Sequence, residues 1–146
     1  MLYINKISQP YELDTAISIR KMVFVSEQKV PEDMEQDEFD ATATHYLALD
    51  DGNPCGTARW RPTSDGVKLE RFAVLKSFRK KGVGAALVQV VLMDVRGFFT
   101  NHKVDQVYLH AQIDAIPFYE KFGFKKTGPS FDECGIQHYK MVLDKN

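Results

Sequence analysis

Polar and apolar positions alternate along Tyr3-Ile4-Asn5-Lys6-Ile7, the two-residue period of a first strand. Pro10 then opens a helical stretch in which Leu13, Ile17, Arg20 and Phe24 recur at spacings of four, three and four. From Glu27 to Asp40 the periodicity stops and acids accumulate: Glu27, Glu32, Asp33, Glu35, Asp37, Glu38 and Asp40, with Lys29 the one base. That segment reads as a solvated loop with one short helix after Pro31. Strand signals return at His45 to Leu49, Gly56 to Arg61 and Val67 to Leu75, separated by the turns Asp50-Asp51-Gly52-Asn53 and Ser64-Asp65-Gly66. Gly82-Val83-Gly84 opens the strongest helix, with Leu87, Val88, Val91, Leu92 and Val95 on one apolar face. A short strand, Val107 to Ala111, precedes a short helix from Ala115 to Phe122 that Gly123 stops. Phe124 to Thr127 and Tyr139 to Leu143 read as two closing strands.

Three hairpin-like strands therefore precede the first well-formed crossover. That order predicts an α+β fold, a mixed and mostly antiparallel central sheet with helices on both faces, not a doubly wound parallel one. At 146 residues the chain is expected to form a single domain, 1–146. A chain of this length buries roughly 70% of the surface exposed when unfolded, enough core to support a pocket without staples.

Charge and composition narrow the function classes. Nineteen basic against 20 acidic side chains give a net charge of −1, which argues against nucleic-acid binding through a broad basic footprint. Asn5, Lys6, Gln9, Glu12, Asp14 and Arg20 leave no room for a signal-peptide core, and no run of about 18 apolar residues could span a membrane. Cys55 and Cys134 lie far apart, and His45, His102, His110 and His138 lack zinc-ligand spacing, so no metal site is expected. Two reduced thiols in a cytoplasmic protein is the expectation.

Chemistry enters at the strand–loop–helix from Lys68 to Val95. A helix N-terminus offers unpaired amides and a partial positive charge, and glycines at 82 and 84 clear side chains from its start. Arg79, Lys80 and Lys81 add cationic charge. No Gly-Lys-Ser/Thr follows, which excludes a Walker loop, and the third glycine and downstream acid of a dinucleotide fingerprint are missing. A G-x-G alone fits a helix that merely begins after a surface loop better than it fits a ligand site.

The segment Val74-Leu75-Lys76-Ser77-Phe78-Arg79-Lys80-Lys81-Gly82-Val83-Gly84-Ala85-Ala86-Leu87 resembles the acetyl-CoA motif of GNAT acetyltransferases. Downstream, Ala115-Ile116-Pro117-Phe118-Tyr119-Glu120-Lys121-Phe122-Gly123-Phe124 resembles the second motif of that superfamily. The two occur in the family's order and spacing. The strand and helix order matches from Tyr3 to Leu143. The segments Arg20…Val23-Phe24-Val25…Glu27-Gln28…Val30-Pro31, Lys68-Leu69-Glu70-Arg71, Leu109-His110-Ala111-Gln112 and Gly135-Ile136-Gln137-His138 are similar to a bacterial GNAT subgroup.

The resemblance implies an N-acetyltransferase that uses acetyl-CoA and moves the acetyl group to a primary amine. It implies that the amides of Gly82, Val83, Gly84 and Ala85, with Arg79 and Lys81 nearby, hold a pyrophosphate. The strand end at Phe72, Ala73 and Val74 would pair with the pantetheine arm, and an amide near Val74 would stabilise the developing oxyanion. Gln112 stands where many members have asparagine, so its cofactor contacts are the less determined. Tyr119 is the candidate general acid, since a phenol keeps its proton at neutral pH. Its periodicity alone favours a core aromatic; the motif match is what reverses that reading. Glu70 is either a general base or the ion-pair partner of Arg59 or Arg71. Glu27, Glu133 and His138, in segments expected to border the acceptor pocket, are the candidates for the acceptor side and stand behind Glu70 as candidate bases; an acidic entrance there would favour a cationic amine.

Two other functions compete. A GNAT-fold sensor that binds acyl-CoA without catalysis would need the cradle but not Tyr119. A phosphate-dependent kinase lacks the lysine motif and a metal-binding acid. The acceptor's identity stays open, as does acetyl against a longer acyl donor. An unpaired edge strand near the C-terminus would allow a homodimer.

Overall fold

The computed structural model describes residues 1–101 and 105–144; His102, one of the histidines considered above, lies outside them. Seven strands build one sheet: β1 (Leu2–Lys6), β2 (Thr44–Asp50), β3 (Asn53–Thr63), β4 (Gly66–Val74), β5 (Val107–Gln112), β6 (Phe124–Glu133) and β7 (Ile136–Leu143). Their order is β1-β2-β3-β4-β5-β7-β6. Every neighbouring pair is antiparallel except β4 and β5. That parallel pair needs a crossover, which helix α3 (Val83–Asn101) supplies. The expected α+β architecture is therefore the observed one.

The two faces carry different helices because strand side chains alternate. Tyr46 and Ala48 of β2 join Leu87, Val88, Val91, Leu92 and Val95 of α3 in the larger core. Leu47, between them, packs instead with Ala16 and Ile19 of helix α1 (Pro10–Arg20) and with Ala73 of β4. Gly56 of β3 allows the close approach of α3: a Cβ there would lie 3.0 Å from Val83 Cγ1 and 3.1 Å from Ala73 O. No helix among the described residues is long and apolar enough to cross a membrane.

Five local expectations change. The buried face of α1 is Glu12, Ala16, Ile19 and Arg20, whereas Leu13 and Ile17 are half-buried. Polar side chains take that face because each is satisfied: Glu12 caps its own helix through the Ser8 and Gln9 amides, and Arg20 meets carboxylates. After α1 the chain widens into a π-helical stretch, Lys21–Glu27.

The acidic segment is not simply a solvated loop. It holds helix α2 (Glu32–Glu35) and a 3-10 turn, Glu38–Ala41, and its Glu35 is buried. Arg20 Nε bonds Glu35 Oε2 at 2.9 Å, and Arg20 Nη1 and Arg59 Nη1 share Asp40 Oδ1 at 2.7 Å each. Burial opposes charge on Asp40, but hydrogen bonds from Arg20 prevail and hold its carboxyl at about 2. Both arginines are 1% exposed.

Finally, β6 runs on past Thr127 to Glu133. Gly128, Pro129 and Ser130 form a bulge on this edge strand, where a proline removes no needed ladder bond. At the other end of the chain's last segments, the short helix narrows to a 3-10 turn, Ile113–Ala115, and helix α4 (Ile116–Glu120).

Candidate functional site

The site begins with a failure of pairing. β4 and β5 pair only from Val67↔Val107 to Leu69↔Leu109; beyond Leu69 no further pairs form. A bulge in β4 marks the divergence. Between Thr57↔Ala73 and Arg59↔Glu70, the single residue Ala58 faces Arg71 and Phe72 together. Arg71 sits there at φ 59°, a costly conformation for a residue with a side chain. Its guanidinium is held by Glu35 Oε2 at 3.1 Å and Asp37 Oδ2 at 3.2 Å. The acidic segment thus clasps the bulge that re-aims the end of β4.

Strand geometry then fixes what β4 presents to the gap. Leu75 N–H donates to Cys55 O at 2.9 Å, and Gly56 stands directly opposite Val74. The pair Gly56–Val74 is accordingly a non-hydrogen-bonded one, so the backbone polar groups of Val74 point away from β3 and into the gap. Its carbonyl accepts from Arg79 Nε at 2.9 Å. Its N–H faces the divergence.

A groove of about 640 Å³ runs from this edge to the start of α3, lined by Phe72, Val74 and Arg79 and by the stretch from Gly82 to Ala85. Ala86 N–H is bonded to Gly82 O at 3.0 Å, leaving the amides of Val83, Gly84 and Ala85 as the unpaired first turn. Gly82 adopts φ +82°, and no atom lies within 4 Å of where its Cβ would be, so the backbone is open to a ligand. Gly84 differs: a Cβ there would lie 3.3 Å from Phe118 Cζ, so this glycine serves the packing of α3 on α4. The groove fits an anionic group at the helix start and an extended arm along β4.

A second cavity, of about 230 Å³, lies on the other side of Phe72 and Tyr119, which line both spaces. Glu70, Gln112, Glu133 and His138 line it, as do Lys68 and His110. Tyr119 is half-buried, edge-on to Phe72 at 6.0 Å, and burial alone raises the pKa of its phenol above the ordinary value.

The anticipated residues divide between these spaces. Phe72, Val74, Arg79, Gly82, Val83, Gly84 and Ala85 line the groove. Ala73 turns its side chain into the α1 core, and its carbonyl faces β3, 3.1 Å from where a Cβ of Gly56 would be, so its polar groups do not face the gap. Lys81 stands with its ammonium 5.5 Å from the Phe78 ring. Gln112 belongs to the smaller cavity and donates to Gln28 Oε1 at 2.7 Å. Glu27, expected at the acceptor side, instead bonds Arg79 Nη2 at 2.8 Å beside the groove. Glu70 is occupied: Arg59 Nε at 2.6 Å and Arg61 Nε at 2.9 Å share its Oε2, and Lys68 Nζ lies 3.4 Å from Oε1. Burial opposes its charge, but Arg59 and then Arg61 hold its carboxyl below the usual range. Its arginine partners are thus Arg59 and Arg61, while Arg71 turns to the acidic segment.

Glu133 and His138 meet in the smaller cavity together with His110, a residue not singled out from the sequence. Glu133 Oε1 lies 3.1 Å from His110 Nδ1, and Oε2 lies 3.7 Å from His138 Nε2. The signal was present in β5: Val107, Leu109 and Ala111 enter the α3 core, so His110 and Gln112 must share the opposite face. Among the described residues no cluster of His, Cys, Asp and Glu could hold a metal ion.

Comparison with known proteins places this geometry. A family model described as an acetyltransferase (GNAT) domain matches residues 11–145. A Bacillus subtilis protein named as an acetyltransferase is 39% identical over 142 residues, 95% of this chain and 94% of that one. The crystal structure of Escherichia coli ElaA superposes with a TM-score of 0.84 at 27% identity, covering 99% of this chain and 100% of that one. An acyl-CoA N-acyltransferase from Pseudomonas aeruginosa does so with a TM-score of 0.83 at 26% identity, covering 99% of each. A match spanning nearly every residue, over a sheet that parts between its two parallel strands, makes this chain a member of the GNAT family and an N-acetyltransferase, an enzyme of acyl-CoA-dependent acetyl transfer.

Proposed function

We propose that the chain transfers an acetyl group from acetyl-CoA directly to a small primary amine, with both substrates held at once. The observation that carries this is the shared wall: the groove and the smaller cavity meet at Phe72 and Tyr119. Two ligands bound on either side would meet there without a covalent stop on the protein.

The residues fit acetyl-CoA in the groove. Val83, Gly84 and Ala85 offer the unpaired first turn of a 19-residue helix to a pyrophosphate, behind the open backbone of Gly82, with Arg79 and Lys81 adding positive charge. Val74 offers its backbone to an extended amide-bearing arm, with Phe72 lining the same groove and Ala73, between them, turned to β3. When bound, acetyl-CoA supplies the acetyl group as an activated thioester. Val74 N–H, unpaired with β3, is the donor available to an oxygen that gains negative charge; removing such a donor typically costs ~10²–10³ in rate. Tyr119 keeps its proton on Oη at neutral pH, because burial raises its pKa, and can give it to a leaving sulfur.

The cavity of about 230 Å³ is small, which favours a small amine over a folded protein substrate. Glu70, saturated by Arg59, Arg61 and Lys68, acts in this account as a fixed counter-charge that holds the cavity wall. The test is release of free coenzyme A from acetyl-CoA across a panel of small primary amines, with the product identified by mass. The account expects acetyl-amine without acetylated protein. Acetyl found on the protein, or no transfer to any amine, would overturn direct transfer.

A further inference from the structure

We propose that His138 is the group that takes the proton from the incoming amine, with Glu133 and His110 as its positioning residues; this rests on the amine-transfer reading above. An amine that arrives as an ammonium has no lone pair with which to attack, so a base is required at the acceptor cavity. Glu70 cannot easily serve, since both its oxygens already face cations. Glu133 is a weak base, because the hydrogen bond from His110 outweighs burial and holds its carboxyl below the usual range.

His138 is set differently. Its Nδ1 lies 2.7 Å from Ile136 O, and a carbonyl can only accept, so Nδ1 carries the hydrogen. In the neutral ring the lone pair is then on Nε2, the nitrogen that faces Glu133 Oε2 at 3.7 Å. That gap leaves Nε2 free to take a proton, yet is short enough for the carboxylate to stabilise the imidazolium that results. The ring is held in place by stacking on Phe131, centroids 6.0 Å apart, and Phe131 in turn meets His110 edge-on at 4.9 Å. Lys68 and Glu70 of β4, His110 of β5, Tyr119 of α4, and Glu133 and Cys134 beside the β6–β7 turn are the titratable groups around it. Glu35 and Arg71, which also line the cavity, are paired with each other.

The step balances simply. One N–H bond of the ammonium breaks, its proton passes to His138 Nε2, and the electron pair stays on the amine nitrogen. That pair forms the C–N bond as the carbonyl π pair moves to oxygen; the pair then returns, the C–S bond breaks, sulfur leaves with the bonding pair and takes the Tyr119 proton, and the nitrogen's surplus proton passes through solvent to the tyrosine oxygen. The imidazolium, paired with Glu133, later returns the proton to solvent. His138 touches the substrate and is catalytic; Glu133 and His110 act through it.

The decisive variant is His138→Asn, whose side-chain amide can still donate to Ile136 O but offers no base. With the fastest alkyl amine of the panel, kcat should fall ~10²–10³-fold while KM for acetyl-CoA stays within about twofold. Hydroxylamine is neutral at neutral pH and needs no deprotonation, so with it the loss should shrink below about tenfold. Glu133→Gln should move the acid limb of kcat/KM to lower pH, since the carboxylate no longer favours the imidazolium. Equal losses with both nucleophiles, or an unmoved pH profile, would assign His138 a merely structural part and overturn the proposal. Nitrogen-15 spectra of the histidines provide a readout independent of turnover: protonated Nδ1 with bare Nε2 is expected, and the opposite tautomer would contradict it. A wild type that turns over neither nucleophile would count against amine transfer itself, while the tautomer would still decide the state of His138.

Discussion

The groove at the start of α3 and the cavity beside it share a wall but are made by different means. The groove is a backbone feature: unpaired amides of one helix, an open glycine at 82, and the bare edge of one strand. A contiguous stretch of chain, from Phe72 to Ala85, supplies most of it, and Leu87, Phe118, Tyr119 and Lys121 complete the lining. The cavity is a side-chain feature assembled from the π-helical stretch, β4, β5, α4 and the β6–β7 turn. Its shape depends on ion pairs that cross the sequence, such as Arg59 with Asp37, Asp40 and Glu70. The difference teaches that the donor site tolerates changes that keep the backbone, whereas the acceptor site depends on buried charges far from the chemistry.

Breaking the clasp should have the largest effect. Arg59→Met would remove the cation that Asp37, Asp40 and Glu70 share, leaving them to Arg71, Arg20 and Arg61, so the loss should approach but not exceed the roughly 3–5 kcal/mol of breaking a buried pair. Chemical unfolding should show that loss, and an unchanged midpoint would mean the ion network contributes little. Next in size is Tyr119→Phe, which keeps the ring packing on Phe72 but removes the proton. It should lower kcat by ~10² and leave acetyl-CoA affinity in place; loss of affinity instead would make Tyr119 a groove residue. The smallest effect concerns pH. Asp40 is held at about 2 against a usual 3.8, so its contribution is complete above about pH 4 and is lost as pH falls through about 2. Thermal unfolding should therefore show an acid limb in that window, and the limb should shrink in Asp40→Asn.

What could be read from the sequence follows the same division. β2 to β5 and α3 announce themselves because each has a periodic apolar face, and the Gly82–Gly84 start is a local signal for a local structure. The acidic segment misleads, since seven carboxylates within fourteen residues look solvated until Arg20, Arg59 and Arg71 arrive from elsewhere in the chain. α1 misleads for the same reason: Glu12 and Arg20 occupy buried positions that only their distant or capping partners justify. Gly128-Pro129 looks like a strand end but is a bulge on an edge, where the ladder does not need the proline's missing N–H. His110 was hidden among apolar neighbours, although its alternation with Leu109 and Ala111 could have placed it. Glu133 and His138 were nameable, but their pairing needed the β6–β7 turn to be folded.

The central claim is that acetyl-CoA lies against the open backbone of Gly82 with its thioester at the wall shared with the acceptor cavity. Isothermal titration of acetyl-CoA into the wild type and into Gly82→Val tests it most directly. A Cβ there meets no protein atom within 4 Å, so the cost to folding of the variant is chiefly the strain of φ +82°. The account predicts saturable one-site binding by the wild type and at least a tenfold loss in the folded variant. Equal affinity in both proteins, or no binding by the wild type, would contradict it.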